Sequence, residues 1–165
     1  MSDRTPAAGD ADRIDQEARQ LLAEGSVGDA PLRRSATVRR ALPVFAPGGG
    51  LHSWFVPVTV GDRLAAVLQL LPDRTLMRFS SFQRRPGELA GCPAAADWLD
   101  TGRIRARAEA QRRGNETAGE PFLTYDRTPD RIVWSVPLTR ADGEVRHIYV
   151  AGEAVYAPPP GGTIG

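Results

Sequence analysis

The sequence predicts an α+β fold built from two copies of one unit, each a helix followed by an antiparallel three- to four-stranded meander. Three observations carry the prediction. Trp54-Phe55-Val56-Pro57-Val58-Thr59 recurs 80 positions later as Trp134-Ser135-Val136-Pro137-Leu138-Thr139. The correspondence extends without a gap back to Leu42 with Phe122 and Phe45 with Tyr125, and it matches the Pro/Gly-rich turn at 46–50 to the polar turn at 126–130. Upstream of each copy, Arg13-Ile14 followed by Ala18 is mirrored by Arg103-Ile104 followed by Ala108. Self-similarity at a fixed spacing marks a repeated supersecondary unit, here of roughly 75 residues, that buries its apolar face against its neighbours.

Each element follows from local pattern. Residues 1–9 are small and polar and read as a flexible tail. Asp10 or Asp12 can cap a helix that runs to about Glu24, where Gly25 ends it. Its apolar stripe of Ile14, Ala18, Leu21 and Leu22 is narrow, so the helix must lie against something larger. Residues 25–40 hold Gly, Pro and four arginines and read as a connection with a short edge strand; the second copy is about ten residues shorter here, and insertions in repeats map to loops. A short apolar strand at 41–45 precedes one at 51–60, which sets His52, Trp54, Val56, Val58 and Val60 on one face and Ser53, Phe55, Pro57 and Thr59 on the other. Gly61-Asp62 turns the chain. Residues 64–71 are apolar on both faces apart from Gln69, the pattern of a strand covered on two sides. After the Pro72-Asp73 turn, 75–82 pairs back.

The second copy repeats the scheme. Asp100 or Thr101 caps a helix to about Arg113, and strands follow at 121–125, 131–139, 144–150 and 154–156. Asp142-Gly143 signals a type I′ hairpin. Pro57 and Pro137 fall inside matched strands and cannot donate to a ladder, so both strands should bend there. The resulting organisation is a tail at 1–9, a first α-β-β-β repeat at 10–82 with its insertion at 25–40, a linker at 83–96, a second repeat at 97–156 and a flexible tail at 157–165.

Composition narrows the function. The 165 residues carry 21 basic and 20 acidic side chains, a net charge of +1, which argues against a general nucleic-acid or acidic-membrane binder. Every basic residue is Arg, the mark of a GC-rich coding bias. The N-terminus lacks a basic stretch followed by an apolar one, and no run approaches the roughly 20 apolar residues of a membrane span, so a cytoplasmic protein is expected. One cysteine, Cys92, excludes an internal disulfide. A nucleophilic role would require a His or cation beside it; a small, half-buried residue at a bend is the simpler reading. Two His and one Cys offer no metal-ligand spacing, and no cofactor motif is present: Gly48-Gly49-Gly50 is a hairpin loop without the helix a phosphate cradle needs. Arg103, Arg105, Arg107, Arg112 and Arg113 read as the solvated outer face of a helix.

The order of elements, with Trp-x-Val in mid-strand and Tyr149-Val150-Ala151-Gly152-Glu153 near the end, resembles the PepSY-like unit. The likeness is clearest over 100–156, with Ala151 where that family usually carries Asp, and looser over 10–80. It implies cystatin-like sheets packed against helices and a non-enzymatic role, associated in that family with regulation of peptidases or with the cell envelope. It brings no catalytic residues.

Four residues are candidates for contact with a partner or ligand. His147 and Tyr149 share a strand face with Val145; open, that face is a polar-aromatic patch suited to binding, and closed, its polar atoms are hydrogen-bonded internally. His52, whose sister position is Ile132, and Phe55 on the opposite face complete the set. The expected function is a non-catalytic module engaging a protein or peptide through a sheet face or edge. Two alternatives stand beside it. One is an enzyme or enzyme subunit with a small-molecule pocket between helix and sheet, using His52 or His147 beside a carboxylate such as Asp100 or Glu153. The other is a structural protein that self-associates into a homo-oligomer through sheet edges.

Overall fold

A computed structural model describes residues 5–158. It contains helices α1 (Asp10–Ala23), α2 (Ala30–Ser35), α3 (Ala95–Leu99) and α4 (Thr101–Glu109). The strands are β1 (Thr37–Val38), β2 (Leu42–Phe45), β3 (Leu51–Val60), β4 (Arg63–Leu70), β5 (Leu76–Ser81), β6 (Thr117–Ala118), β7 (Phe122–Tyr125), β8 (Ile132–Thr139), β9 (Val145–Ala151) and β10 (Ala154–Tyr156). This is the expected α+β class, with few helices. Most of the two expected tails, 1–4 and 159–165, lies outside the described residues. The chain divides into two compact units: the first holds the residues up to Pro43 together with Leu51–Ala95, the second holds Val44–Gly50 and the residues from Ala96 onward.

In the first unit β3 is flanked by β4 and by the two-residue β1, and β5 extends the ladder beyond β4, all antiparallel. α1 packs on β1 and β3. Its stripe of Ile14, Ala18 and Leu22 meets Trp54, Val56 and Val58 of β3 and Ala66, Leu68 and Leu70 of β4 in one buried cluster, which Leu32 of α2 completes. β4 is buried from Leu64 to Leu70, as its near-continuous apolar run predicts. α1 closes with a Schellman motif: Gly25 (φ 77°) donates to Leu22 O and Ser26 to Leu21 O. Its start differs from expectation. Neither Asp10 nor Asp12 caps it; the N-cap is Gly9, left-handed at φ 90°, with no side-chain cap bond. Asp15, 5% exposed on the same helix, instead accepts from the Ala41 N–H at 2.6 Å and so fastens the connection into β2.

The stretch 25–40 is more ordered than a plain connection, because it contains α2. Asp29 caps that helix by accepting from Leu32 N–H at 2.8 Å, and Pro31 occupies its first turn, where a missing N–H costs nothing. The end of the linker, residues 93–95, is likewise pinned at the start of β4: Leu64 N–H donates to Pro93 O, Ala95 N–H to Asp62 O, and Arg63 pairs with Ala94.

In the second unit β7, β8, β9 and β10 form an antiparallel meander, with β6 on β8. The sheet is not purely antiparallel. Val44 of β2 pairs in parallel with Leu123 of β7, and Thr124 Oγ1 donates to Phe45 O at 2.7 Å. α4 packs on β6, β8 and β9, burying Ile104 and Ala108. Asp100 caps it, accepting from Arg103 N–H at 3.1 Å, and it ends at Glu109 rather than near Arg113.

Two local expectations are corrected. The β8–β9 hairpin is not type I′: the positive φ falls on Gly143 (90°) and not on Asp142, Gly143 N–H donates to Arg140 O, and Arg140 N–H donates to Glu144 O. That is a type I turn followed by a left-handed glycine, the three-residue loop whose twist also suits a hairpin. The bend at both prolines occurs in only one strand. β3 shifts register between Val58 and Thr59, next to Pro57, whereas β8 passes through Pro137 in unbroken register with His147. A proline withholds only a donor, and its carbonyl still binds: Pro57 O accepts from Arg39 N–H and Pro137 O from Gly119 N–H, each at 2.8 Å.

Candidate functional site

His147 and Tyr149 lie on β9, half-buried, on the side of the strand that also meets Pro137 and Ser135 of β8. His147 Nδ1 is 3.1 Å from Ser135 Oγ, and its ring stands edge-on to Phe122 at 6.0 Å. Tyr149 stands edge-on to Tyr156 at 5.8 Å. Tyr156 donates its hydroxyl to Asp126 Oδ2 at 2.7 Å. Burial, reinforced by that carboxylate, pushes the Tyr156 hydroxyl up to about 12, and burial pushes Tyr149 up as well, so both phenols stay neutral donors. The sequence reading placed His147 and Tyr149 together but missed Ser135, Asp126 and Tyr156, because only cross-strand register brings them alongside.

The other two candidates sit in the first unit. His52 is half-buried on β3, with Nδ1 3.0 Å from Ser53 Oγ. Ser53 accepts from Gln69 Nε2 at 2.9 Å, and Gln69 Oε1 accepts from Arg78 Nη2 at 2.9 Å. Ser53 and Gln69 are 0% and 1% exposed, so this chain satisfies polar groups that would otherwise be costly inside. Gln69, the one polar residue in an apolar strand, was the sequence signal for it. Phe55, 4% exposed, is a core residue and presents no ring to a partner.

Of the carboxylates named with the enzymatic alternative, Asp100 serves as a helix cap, and Glu153 is exposed in the β9–β10 turn. Among the described residues no group of three or more His, Cys, Asp or Glu is arranged to hold a metal. Cys92 is 2% exposed, and burial raises its thiol against the partial opposition of Arg63, which is the reverse of what a nucleophile needs. The arginines of α4 are engaged: Arg103 and Arg107 bind Asp97 at 3.0 and 2.8 Å, and Arg105 pairs with Glu120. No described helix is long and apolar enough to cross a membrane.

Each unit also carries a recess on its helix side. In the second unit Arg113, Glu116, Arg140, Glu144 and Arg146 line about 380 Å³. Its charges are largely neutralised within it. Glu116 is gripped by Arg146 through two bonds of 2.9 Å, and Arg140 holds Glu144 at 2.7 Å. In the first unit Trp54 floors a recess of about 460 Å³, with Leu51 of β3, Arg13 of α1, and Pro72, Asp73 and Arg74 of the β4–β5 turn around it. Arg74 holds a positive φ of 75°, an expensive conformation for a residue with a side chain. The chain matches no protein-family model, no curated protein and no solved structure.

Proposed function

We propose that this protein is a non-catalytic, cytoplasmic binding module of tandem PepSY-like, cystatin-like build that engages a protein or peptide partner along a sheet edge. Support for two copies comes from ladder pairs that recur 80 positions apart, Thr37 with Thr59 and Thr117 with Thr139, and from the paired bonds into Pro57 and Pro137.

The observation that carries the binding role is β5. Among the described residues it pairs only with β4. Phe82 N–H donates to Ala65 O, and the register pairs Ser81 with Ala66 and Ser80 with Val67. Antiparallel ladders alternate, so Phe82, Ser80 and Arg78 bond inward to β4, while Ser81 and Phe79 turn their N–H groups outward. A row of outward donors beside the exposed Met77 is a template for an added strand.

The test is Ser81→Pro, which deletes an outward donor and no ladder bond. The tagged chain should capture a stoichiometric protein partner from its native lysate, and Ser81→Pro should lose it while the thermal melt falls only by the small contribution of the exposed Gln83 N–H bond to Ser81 Oγ. Capture that survives the substitution removes the edge from the proposal. A mass that rises with concentration for the wild type but not for Ser81→Pro would favour self-association through the same edge. The pocket alternative gains support from the recess under Trp54.

A further inference from the structure

Trp54 and Trp134 occupy matched strand positions, both deeply buried at 2% and 4% exposure. Trp134 Nε1 donates to the Trp98 carbonyl at 2.8 Å. The Trp54 indole N–H has no acceptor among the described residues. Nor is it one of the sealed, unpartnered atoms, which are Gln83 Oε1 and Arg105 Nε, so it opens onto the recess that Trp54 floors. A buried aromatic N–H normally finds a partner, and this one is presented to a cavity of ligand size.

Two further donors line it. Arg13 has only the distant Asp10 carboxylate, at 3.9 Å, and its side chain is 72% exposed. Arg74 has no ion-pair or hydrogen-bond partner for its guanidinium among the described residues. Asp73, by contrast, is already bound to Thr75 N–H at 2.9 Å. The recess thus offers one indole N–H, two guanidinium forks and an apolar floor of Leu51, Pro72 and the indole face. Asp10 and Asp73 balance the two arginines, so the recess carries no net charge and disfavours a dianion such as phosphate more than a monoanion that pairs with one guanidinium.

We infer that the recess at Trp54 binds a small monocarboxylate with a compact apolar body, its carboxylate accepting from Trp54 Nε1 and from the Arg74 guanidinium. Guanidinium and carboxylate pair in a bidentate fork, and an apolar group stacks on the floor. The sister site in the second unit cannot do the same, because Trp98 O already occupies the Trp134 donor. This site is independent of the β5 edge, so either proposal can fail alone.

The test is a ¹H–¹⁵N titration of the full-length chain, which contains three tryptophans. The probe is sodium phenylacetate, with phenylacetamide and inorganic phosphate as controls. Trp54 is the indole signal missing from Trp54→Phe; should that variant not fold, nuclear Overhauser contacts to Leu51 and Pro72 assign it in the wild type. The Trp54 signal should move saturably with millimolar phenylacetate while that of Trp134 stays, and Arg74→Gly should weaken the response about tenfold, the loss of one charge-assisted contact. A Trp54 signal that stays fixed, an equal response to the amide, or tighter binding of phosphate would each overturn the assignment.

Discussion

Trp134 hydrogen-bonds its indole N–H and Trp54 does not, although both fill the same kind of strand position. Replacing either with Phe leaves an aromatic ring in the core, but only Trp134→Phe also removes a bond. Trp134→Phe should therefore cost about 1 kcal/mol more than Trp54→Phe, the net worth of one buried hydrogen bond, read from urea denaturation of the two variants. Equal losses would mean that the Trp98 carbonyl finds another donor. The sequence showed that both indoles alternate with Val on a strand face, and the structure buries both. The fate of their N–H groups was not legible there, because Trp98 lies 36 residues away from its partner in sequence. The same holds for His147, whose neighbours Ser135 and Phe122 become visible only once β7, β8 and β9 are in register.

Helices and turns show how far local chemistry reaches. Asp100 caps α4 as the sequence predicts, and Asp100→Ala should cost about 1 kcal/mol, measurable as a shift in denaturation midpoint at constant slope. No shift would mean that Asp97, through Arg103, holds the helix start without the cap. α1 shows the limit of the same reasoning. Two aspartates stood at its start, yet Gly9 is the N-cap, because a left-handed entry demands a residue without Cβ. α2 was missed although Asp29-Ala30-Pro31 is a fair N-terminal signature: six residues are too few to display a helical period. The Asp142-Gly143 hairpin was found but given the wrong turn, since one left-handed glycine serves both loop types and only the closing pair, Arg140 with Glu144, decides between them.

For the molecule taken whole, a net charge of +1 conceals a set of buried or half-buried carboxylates tied to arginine. Asp97 is held below its ordinary 3.8 chiefly by Arg103, with Arg107 helping against burial. Glu116 is held below its ordinary 4.5 chiefly by Arg146. On acidification the unfolded chain binds these protons first, so their stabilisation is complete above about pH 4.5 and drains away as pH falls through the lower folded values. Arg146→Met leaves Glu116 buried without its partner, which raises its folded value. The acid-unfolding midpoint followed by circular dichroism should accordingly move to higher pH. An unmoved midpoint would show that Arg113 N–H, 3.2 Å from Glu116, suffices to hold the charge.

By itself the sequence determined the α+β class, the placement of most strands to within a residue or two, the buried stripe of α1 and the two-sided burial of β4, because periodicity and capping are properties of neighbouring residues. Only the tertiary structure decided which polar groups meet: the parallel pairing of Val44 with Leu123, the Ser53–Gln69–Arg78 chain, the bond between Tyr156 and Asp126, and the recess under Trp54. Those depend on strand register and on which helix end lies over which turn. The free energy that sets them is shared among residues far apart in the chain, and no local pattern records it.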